Sequence, residues 1–304
     1  MHIPGFETRT VEVAPGVALR AETAGEGTPV VLLHGFPQTR HMWRHVAADL
    51  ARDHRVVVPD LRGYGDSAKP AATTPDVYAK RTMGNDVVAL ADAMDVDRFV
   101  LVGHDRGALV AFRAALDHPD RVSHLGVLDV VPTLDTWGVL HGVDAAVAFH
   151  LYLMAQPPGL PEAMIRRSAD AFFGHFLDAW TRNPASIPAD VRAHYLEASR
   201  DAVDSIVADY RATATIDVVH DQASLDAGDR LAMPVTVVQQ DWGAQLGYDA
   251  AGVWRRWAPD LEHLTTTAGH FMAEESPADV AAVVRALGRR PLREIDPSVT
   301  TSTS

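Results

Sequence analysis

The sequence predicts an α/β protein with a doubly wound, mostly parallel sheet of eight strands, and three observations support this class. The first is a series of near-continuous apolar runs, which strands covered on both faces by crossover helices require. The second is that helical patterns alternate with these runs. The third is a β-hairpin pattern at residues 10–24. The apolar runs are Val30-Val31-Leu32-Leu33, Val56-Val57-Val58, Phe99 to Val102, Leu125-Gly126-Val127-Leu128 and Val235-Thr236-Val237-Val238, with a further strand signal from about Leu261 to Thr266.

The alternation of strand and helix stops near Pro132. Residues 133–228 are helical in pattern, with repeated proline punctuation. We interpret them as a helical cap inserted between two halves of one core domain, residues 1–132 and 229–290. Residues 291–304 end in Thr and Ser and are expected to form a flexible tail.

The composition limits the possible partners. The chain has 304 residues, 47% of them hydrophobic, which is enough for a sizeable core. Lys and Arg number 27 against 40 Asp and Glu, and the net charge of −13 disfavours nucleic acid and anionic membranes. The absence of Cys excludes disulfides and thiolate metal sites. The sequence shows no leader pattern and no apolar run long enough to span a membrane, so we expect a soluble cytoplasmic protein. The His residues lack metal-ligand spacing, and we expect no metal or organic cofactor. The expected partner is a small-molecule substrate.

A five-residue stretch, Gly103-His104-Asp105-Arg106-Gly107, lies between an apolar run and the helical pattern from Ala108 to Leu116. The order strand, Gly-x-nucleophile-x-Gly, helix is typical of the nucleophile elbow of the α/β-hydrolase fold. The central residue of most such elbows is Ser, whereas here it is Asp105. A carboxylate that attacks a saturated carbon forms an ester, which water can cleave in a second step. The elbow therefore predicts carbon–halogen cleavage or epoxide opening, and it argues against an esterase, lipase or peptidase.

Residues that could support this nucleophile follow other predicted strands. The backbone N–H groups of Phe36, in His34-Gly35-Phe36-Pro37, and of Arg106 could form an oxyanion hole. His270, after the last strand signal, is the candidate base that activates water. The acid that orients His270 is either Asp129 or Asp241, and the clean apolar run that ends at Leu128 favours Asp129.

Six motifs together resemble one family. They are His34-Gly35-Phe36-Pro37-Gln38-Thr39, Asp60-Leu61-Arg62-Gly63-Tyr64-Gly65, Gly103-His104-Asp105-Arg106-Gly107, Leu128-Asp129 with Val131-Pro132-Thr133, Asp209-Tyr210-Arg211-Ala212 and Gly269-His270-Phe271. Over roughly residues 4–285 the chain resembles the fluoroacetate (haloacetate) dehalogenases, close to the epoxide hydrolase and haloalkane dehalogenase branch of the α/β-hydrolases.

The resemblance implies a role for each matching residue. Asp105 is the nucleophile, His270 the base and Asp129 its partner. Arg106 grips the substrate carboxylate; haloalkane dehalogenases and epoxide hydrolases usually carry Trp at that position. His150 and Tyr210 line the halide pocket. The resemblance is also compatible with a homodimer.

The chain departs from the family at two positions. The second Arg of the carboxylate clamp is replaced by Leu109, and the Trp that donates to the departing halide is replaced by Leu151. Loss of one preorganised donor costs about 2.7–4 kcal/mol, so we expect an apolar pocket that is weak on carbon–fluorine bonds. Tyr152 could replace the missing donor in substrate binding, but helical spacing turns it about 100° from Leu151, which favours a packing role.

Three functions follow from these residues; the first is the predicted one and the second is its alternative. The first is a hydrolytic dehalogenase of small 2-halo acids that works through an aspartyl ester and is weak on fluoroacetate. The second is an epoxide hydrolase with the same Asp-His-Asp triad, in which Tyr210, with Tyr152 or His150, protonates the opening oxygen. Loss of the halide-binding Trp favours this function, and Arg106 disfavours it unless the epoxide bears a carboxylate. The third is a ligand-binding protein without catalysis, which the complete set of Asp105, His270 and Asp129 disfavours.

Overall fold

The fold is an eight-stranded sheet flanked by helices, as the sequence predicts. The computed structural model describes residues 1–241 and 247–292. Within these residues the strands lie in the order β1-β2-β4-β3-β5-β6-β7-β8. β1 and β2 pair antiparallel, as do β2 and β4, and every other neighbouring pair is parallel. The strands are β1 (Glu7–Ala14), β2 (Val17–Ala24), β3 (Thr28–Leu33), β4 (His54–Pro59), β5 (Phe99–His104), β6 (Val122–Leu128), β7 (Val235–Gln240) and β8 (Leu261–Thr266).

The burial of the strands explains why their sequences look different. Every residue of β5 is buried, because helices cover both faces of the middle of a parallel sheet. β1 lies at the edge and contains only exposed and half-buried residues. The predicted hairpin of residues 10–24 is formed by β1 and β2 and begins three residues earlier, at Glu7.

Helices in the two core segments pack against the sheet as two groups. α2 contacts α3, and α1 contacts α13, while α3 and α13 both contact β6. The core helices are α1 (Arg44–Leu50), α2 (Lys80–Ala93), α3 (Arg106–Asp117), α11 (Ala250–Arg255), α12 (Met272–Glu275) and α13 (Pro277–Gly288), with 3₁₀ turns at Arg40–Trp43 and Pro75–Tyr78.

A second set of helices is inserted between β6 and β7. They are α4 (Thr133–Val139), α5 (Phe149–Met154), α6 (Leu160–Arg167), α7 (Ala169–Ala179), α8 (Ala189–Arg200), α9 (Val203–Thr213) and α10 (Ile216–Ala227), with 3₁₀ turns at Gly142–Ala148 and Pro184–Ser186. The assignment of residues 133–228 to a separate cap stays a prediction. So does the flexible tail of residues 291–304, which lies outside the described residues from position 293 onward.

The topology brings the candidate residues to one edge of the sheet. Residues that follow the carboxyl ends of neighbouring parallel strands lie close together, and in open α/β sheets ligands bind outside these ends. Phe36 follows β3, Asp105 follows β5, Asp129 follows β6 and His270 follows β8. None of the helices in the described part of the chain combines the length and hydropathy needed to cross a bilayer.

Candidate active site

Asp105 occupies a strained turn between β5 and α3. Its backbone has φ 48° and ψ −116°, a region that residues with a side chain rarely adopt. The flanking glycines are a steric requirement of this turn. A Cβ on Gly103 would lie 2.4 Å from the carbonyl oxygen of Gly107, and one on Gly107 would lie 2.4 Å from that of His34. The turn therefore lifts the Asp105 carboxylate out of the sheet at the start of a helix.

The loop after β3 supplies a backbone donor to this carboxylate. The N–H of Phe36 donates to Oδ1 of Asp105 over 2.8 Å. The His34 ring fixes the loop, because it bonds the Gly35 carbonyl oxygen at 3.0 Å and accepts from the N–H of Leu61 at 3.1 Å. Arg106 is the first residue of α3, so its N–H has no acceptor within the helix. The backbone N–H groups of Phe36 and Arg106, which are predicted to form an oxyanion hole, thus lie on either side of Asp105. Oδ1 of Asp105 already accepts a hydrogen bond from the N–H of Phe36.

His270 lies between two carboxylates. Its Nδ1 donates to Oδ2 of Asp129 over 2.6 Å. Its Nε2 lies 4.0 Å from Oδ2 of Asp105, which is longer than a hydrogen bond, and has no hydrogen-bond partner among the described residues. Burial opposes the charged imidazolium, but the hydrogen bond and charge of Asp129, with the charge of Asp105, outweigh it and raise the pKa of His270. The imidazole can therefore take a proton at Nε2 and keep the resulting charge stabilised.

Asp129, rather than Asp241, is the carboxylate that meets His270. The backbone of Asp129 has φ 56°, and its N–H donates to the Val238 carbonyl oxygen over 2.8 Å. The side chain accepts from the backbone N–H of Gln240 at 2.9 Å and from its side-chain amide at 2.8 Å. Asp241 is exposed one residue after β7. Gln240 therefore orients Asp129, which in turn orients His270. No sequence motif predicted this role for Gln240.

A largely apolar cavity opens above Asp105. Five of the six predicted substrate-binding residues line it: Arg106, Leu109, His150, Leu151 and Tyr210. The sequence analysis did not predict the further lining groups that carry polar atoms, which are Thr136, Trp180, Thr213, Gln239 and Tyr248. The apolar part of the wall comprises Val130, Val131, Val139, Leu140, Val147 and Ala148, together with Leu109 and Leu151.

Tyr152, the sixth predicted substrate-binding residue, does not line this cavity. It is 40% exposed, and its hydroxyl donates to the carbonyl oxygen of Leu140. Its ring meets Trp137 edge to face, with 5.4 Å between the ring centroids. The turn of about 100° per residue along α5 points Tyr152 away from the side on which His150 and Leu151 face the cavity.

Two side chains from the inserted helices, Tyr210 and His150, line the cavity and carry polar groups. Tyr210 is 1% exposed, and its hydroxyl has no hydrogen-bond partner in the described part of the chain. Burial and the charge of Asp105 raise the pKa of Tyr210 well above its usual value, so the phenol stays protonated. The His150 ring lies 5.4 Å from that of Tyr210. Burial, reinforced by the charge of Arg106, lowers the pKa of His150 to about 3, so this imidazole is neutral at physiological pH.

Arg106 is already engaged with a carboxylate. Its Nε donates to Oδ2 of Asp209 over 2.8 Å, and its Nη2 donates to the Asp209 carbonyl oxygen over 3.0 Å and to the hydroxyl of Thr213. The guanidinium also lies over the Tyr210 ring, 4.1 Å from its centroid. The family resemblance assigned this guanidinium to a substrate carboxylate. The sequence did not reveal its contact with Asp209, because nothing local connects Arg106 with a residue 103 positions away.

The positive charges of Arg106 and Lys80 are balanced by the carboxylates of Asp209 and Asp217. Lys80 donates to the other oxygen of Asp209, and its Nζ lies 3.5 Å from Oδ2 of Asp217. Burial opposes ionisation of Asp209, but Arg106 and Lys80 outweigh it and hold the pKa of its carboxyl well below the usual value. Two cations thus face two carboxylates. Leu109, one turn after Arg106 on the same helix, adds no charge.

Residues 28–277 match the family described as the alpha/beta hydrolase fold, and the chain belongs to this family of hydrolases. The fluoroacetate dehalogenase of Burkholderia sp is 35% identical over 286 residues, which cover 92% of this chain and 93% of the relative. The soluble epoxide hydrolase of Corynebacterium sp. (strain C12) is 33% identical over 274 residues, 86% of this chain and 90% of the relative. The crystal structure of ALR0039 from Nostoc sp PCC 7120, assigned to the α/β hydrolases, matches with a TM-score of 0.90 at 33% identity and covers 95% of this chain and 100% of that one. The resemblance to the dehalogenase branch is confirmed, and an epoxide hydrolase is nearly as similar.

Proposed function

We propose that the protein is an epoxide hydrolase that opens an uncharged, largely apolar epoxide through a covalent ester on Asp105. The observation that carries the proposal is the charge balance beside Asp105. The guanidinium of Arg106 is matched by Asp209, and the position one turn further along the helix is Leu109. The described residues of the cavity therefore offer hydrogen-bond donors to an oxygen atom and no net positive charge to a substrate anion.

In the first step, Asp105 displaces the ring oxygen of the epoxide. Because Phe36 holds Oδ1, the free oxygen Oδ2 attacks the saturated carbon. The carbon–oxygen bond of the ring breaks, and its electron pair moves to the leaving oxygen. The Tyr210 hydroxyl is protonated and has no hydrogen-bond partner among residues 1–241 and 247–292, and it donates a proton to that oxygen. The neutral His150 imidazole beside it can supply a second hydrogen bond. The product is a hydroxyalkyl ester of Asp105.

In the second step, water cleaves the ester. His270 takes a proton from water at Nε2, and the resulting hydroxide attacks Cγ of Asp105. The negative charge then develops on Oδ1, where the N–H groups of Phe36 and Arg106 stabilise it. Collapse of this intermediate breaks the bond between Cγ and Oδ2. The leaving alkoxide takes the proton of the hydroxyl group that was added to Cγ, which releases the diol and regenerates the Asp105 carboxylate. The proton held by His270 restores the phenol of Tyr210. The sum of the two steps is epoxide plus water giving diol.

The electrostatics favour an epoxide over a 2-halo acid. Two carboxylates about 4 Å apart repel by about 4 kcal/mol at an effective dielectric constant of 20, and a halo acid brings its carboxylate to this distance from Asp105. In the family pattern the second arginine of the clamp offsets this repulsion, and Leu109 cannot. An uncharged epoxide meets no such repulsion, and apolar residues such as Val147 and Leu151 suit its substituent.

Dehalogenation of 2-halo acids is the second candidate. The observation in its favour is that Nη1 of Arg106 has no hydrogen-bond partner among the described residues while Arg106 lines the cavity. A single charge-assisted hydrogen bond contributes about 1.5–3 kcal/mol, which is less than the repulsion just described. Chloro- and bromoacetate are expected to react slowly, and fluoroacetate more slowly still.

Two assays on one preparation test the proposal. Diol formation from styrene oxide and 1,2-epoxyhexane is measured beside halide release from fluoro-, chloro- and bromoacetate, with Asp105→Asn as the control. We expect diol from the wild type, little halide, and neither product from Asp105→Asn. Rapid halide release without diol would establish the dehalogenase instead. If the wild type consumes no substrate of either class, both candidates fail.

A further inference from the structure

We infer that Glu275 is a positioning residue that holds the segment directly after α7 against the loop carrying His270. This segment, residues 180–183, is called the connector below. The inference rests on the proposed role of His270 as the base that activates water. It assigns a function in the second chemical step to a residue that contacts neither the cavity nor Asp105.

Glu275 bonds the connector through its carboxylate. Oε2 accepts from the backbone N–H of Asn183 at 3.0 Å and from that of Arg182 at 3.2 Å, and Oε1 lies 3.3 Å from the same Arg182 nitrogen. Glu275 is the last residue of α12, which begins two residues after His270. One short element therefore joins the base to the carboxylate that binds the inserted helices.

The loop that carries His270 also forms hydrogen bonds with the connector. The N–H of His270 donates to the carbonyl oxygen of Trp180 over 3.0 Å, and the Arg182 guanidinium donates to the carbonyl oxygen of Thr267. Gly269 permits this close approach. A Cβ there would lie 2.7 Å from the Trp180 carbonyl oxygen and 2.4 Å from Oε1 of Glu275. The backbone of the base and the backbone of the connector are thus in direct contact.

The side chain of Trp180 transmits the position of the connector to the cavity. Its indole ring lies 4.9 Å from the His270 ring and 5.2 Å from the His150 ring. A shift of the connector would therefore move the indole ring that packs against the imidazoles of His270 and His150. A misplacement of about 1 Å can cost an enzyme about 100-fold in rate, even when its cause lies away from the reacting atoms.

Charge gives Glu275 a second effect on His270. The charged groups that act on the imidazole are the carboxylates of Asp129, Asp105 and Glu275, each of which favours the protonated ring. The neighbouring ring of His104, 4.5 Å away, is neutral because burial lowers its pKa well below the usual value. Removal of the Glu275 charge is therefore expected to lower the pKa of His270.

Three variants separate position from charge. Glu275→Ala removes both the hydrogen bonds and the charge. Glu275→Gln removes the charge, and its amide oxygen can still accept from Arg182 and Asn183. Asp279→Asn, an exposed carboxylate on α13, is the matched control for loss of a surface charge.

Two measurements are made on each variant. The His270 imidazole is titrated by NMR, with His270→Asn used to assign its signal. Formation and decay of the Asp105 ester are followed in single turnovers. We expect Glu275→Ala to slow ester decay by about 10- to 100-fold and to slow ester formation by a smaller factor, because His150 only supplements Tyr210 in the first step. Glu275→Gln should recover much of the decay rate while both Glu275 variants titrate at a lower pH than the wild type and Asp279→Asn.

The inference is overturned if Glu275→Ala leaves ester decay and the His270 titration unchanged. It is also overturned if both chemical steps slow equally, since that result indicates general loss of structure, or if Asp279→Asn has the same effect. If the wild type forms no ester, the proposed function fails, whereas the NMR titration still decides whether Glu275 acts on His270.

Discussion

Removal of the Tyr210 hydroxyl should separate catalysis from stability. Tyr210→Phe deletes one oxygen atom that is buried and has no hydrogen-bond partner in the described structure. A buried polar group left unsatisfied costs about 1–3 kcal/mol, so its removal should leave the free energy of unfolding unchanged or raise it. The phenylalanine ring keeps the contacts with Phe36, at 5.2 Å, and with the Arg106 guanidinium, at 4.1 Å.

The same change should slow the first chemical step strongly. Removal of one preorganised donor aimed at a developing negative charge costs about 2.7–4 kcal/mol, which is about 10²- to 10³-fold in rate. Ester hydrolysis places its charge on Oδ1 of Asp105, next to Phe36, and should therefore change by no more than a few-fold. The expected signature is a slow first step in a protein that unfolds no earlier than the wild type.

Rapid-quench intact mass of the ester and thermal unfolding measure the two effects. Tyr152→Phe is the matched control, because it makes the same change in a phenol that lies outside the cavity. It should leave the rate of ester formation within about threefold of the wild type. The reasoning is refuted if Tyr210→Phe forms the ester at the wild-type rate, or if its unfolding temperature falls by several degrees.

Two further predictions concern charge and pH. Leu109→Arg places a cation without a matching carboxylate one turn after Arg106. A charge-assisted hydrogen bond of about 1.5–3 kcal/mol predicts a gain of about 10- to 150-fold in kcat/KM for halide release from chloroacetate. The uncharged control Leu109→Gln should show no such gain. Because His270 must be neutral to take a proton, ester hydrolysis should increase with pH and then level off. In the ester the charge of Asp105 is lost, so the midpoint should lie below the pKa of His270 in the free enzyme, which Asp129 and Asp105 raise. Ester formation should lack an inflection from His150 between about pH 5 and 8, since its pKa of about 3 keeps it neutral. A decay rate that falls as pH rises would contradict the role of His270.

Local sequence predicts the parts of this molecule that depend on local physics. The apolar run of β5 requires burial on both faces, and the glycines around Asp105 are dictated by a turn in which a Cβ does not fit. The choice of Asp129 over Asp241 follows from where the apolar run before it ends. These features are visible because neighbouring residues in the chain determine them.

The remaining features of the site depend on packing between distant segments. The pairing of Arg106 with Asp209 arises only when α9 lies against the start of α3. Trp180 enters the cavity from a connector that has no motif, and Glu275 acts through backbone groups, which leave no trace in the sequence. The charge balance that favours an epoxide is therefore a property of the folded chain.

The central claim is that Asp105 forms and loses a covalent ester, and isotope transfer tests it most directly. An excess of wild-type protein is mixed with a limiting epoxide in H₂¹⁸O for a single turnover, and the peptide that contains Asp105 is then analysed by mass spectrometry together with the diol. Because water attacks Cγ and the product leaves with Oδ2, the account predicts one ¹⁸O atom in the Asp105 carboxylate and none in the diol. Label in the diol after the first turnover, with an unlabelled Asp105, would contradict it.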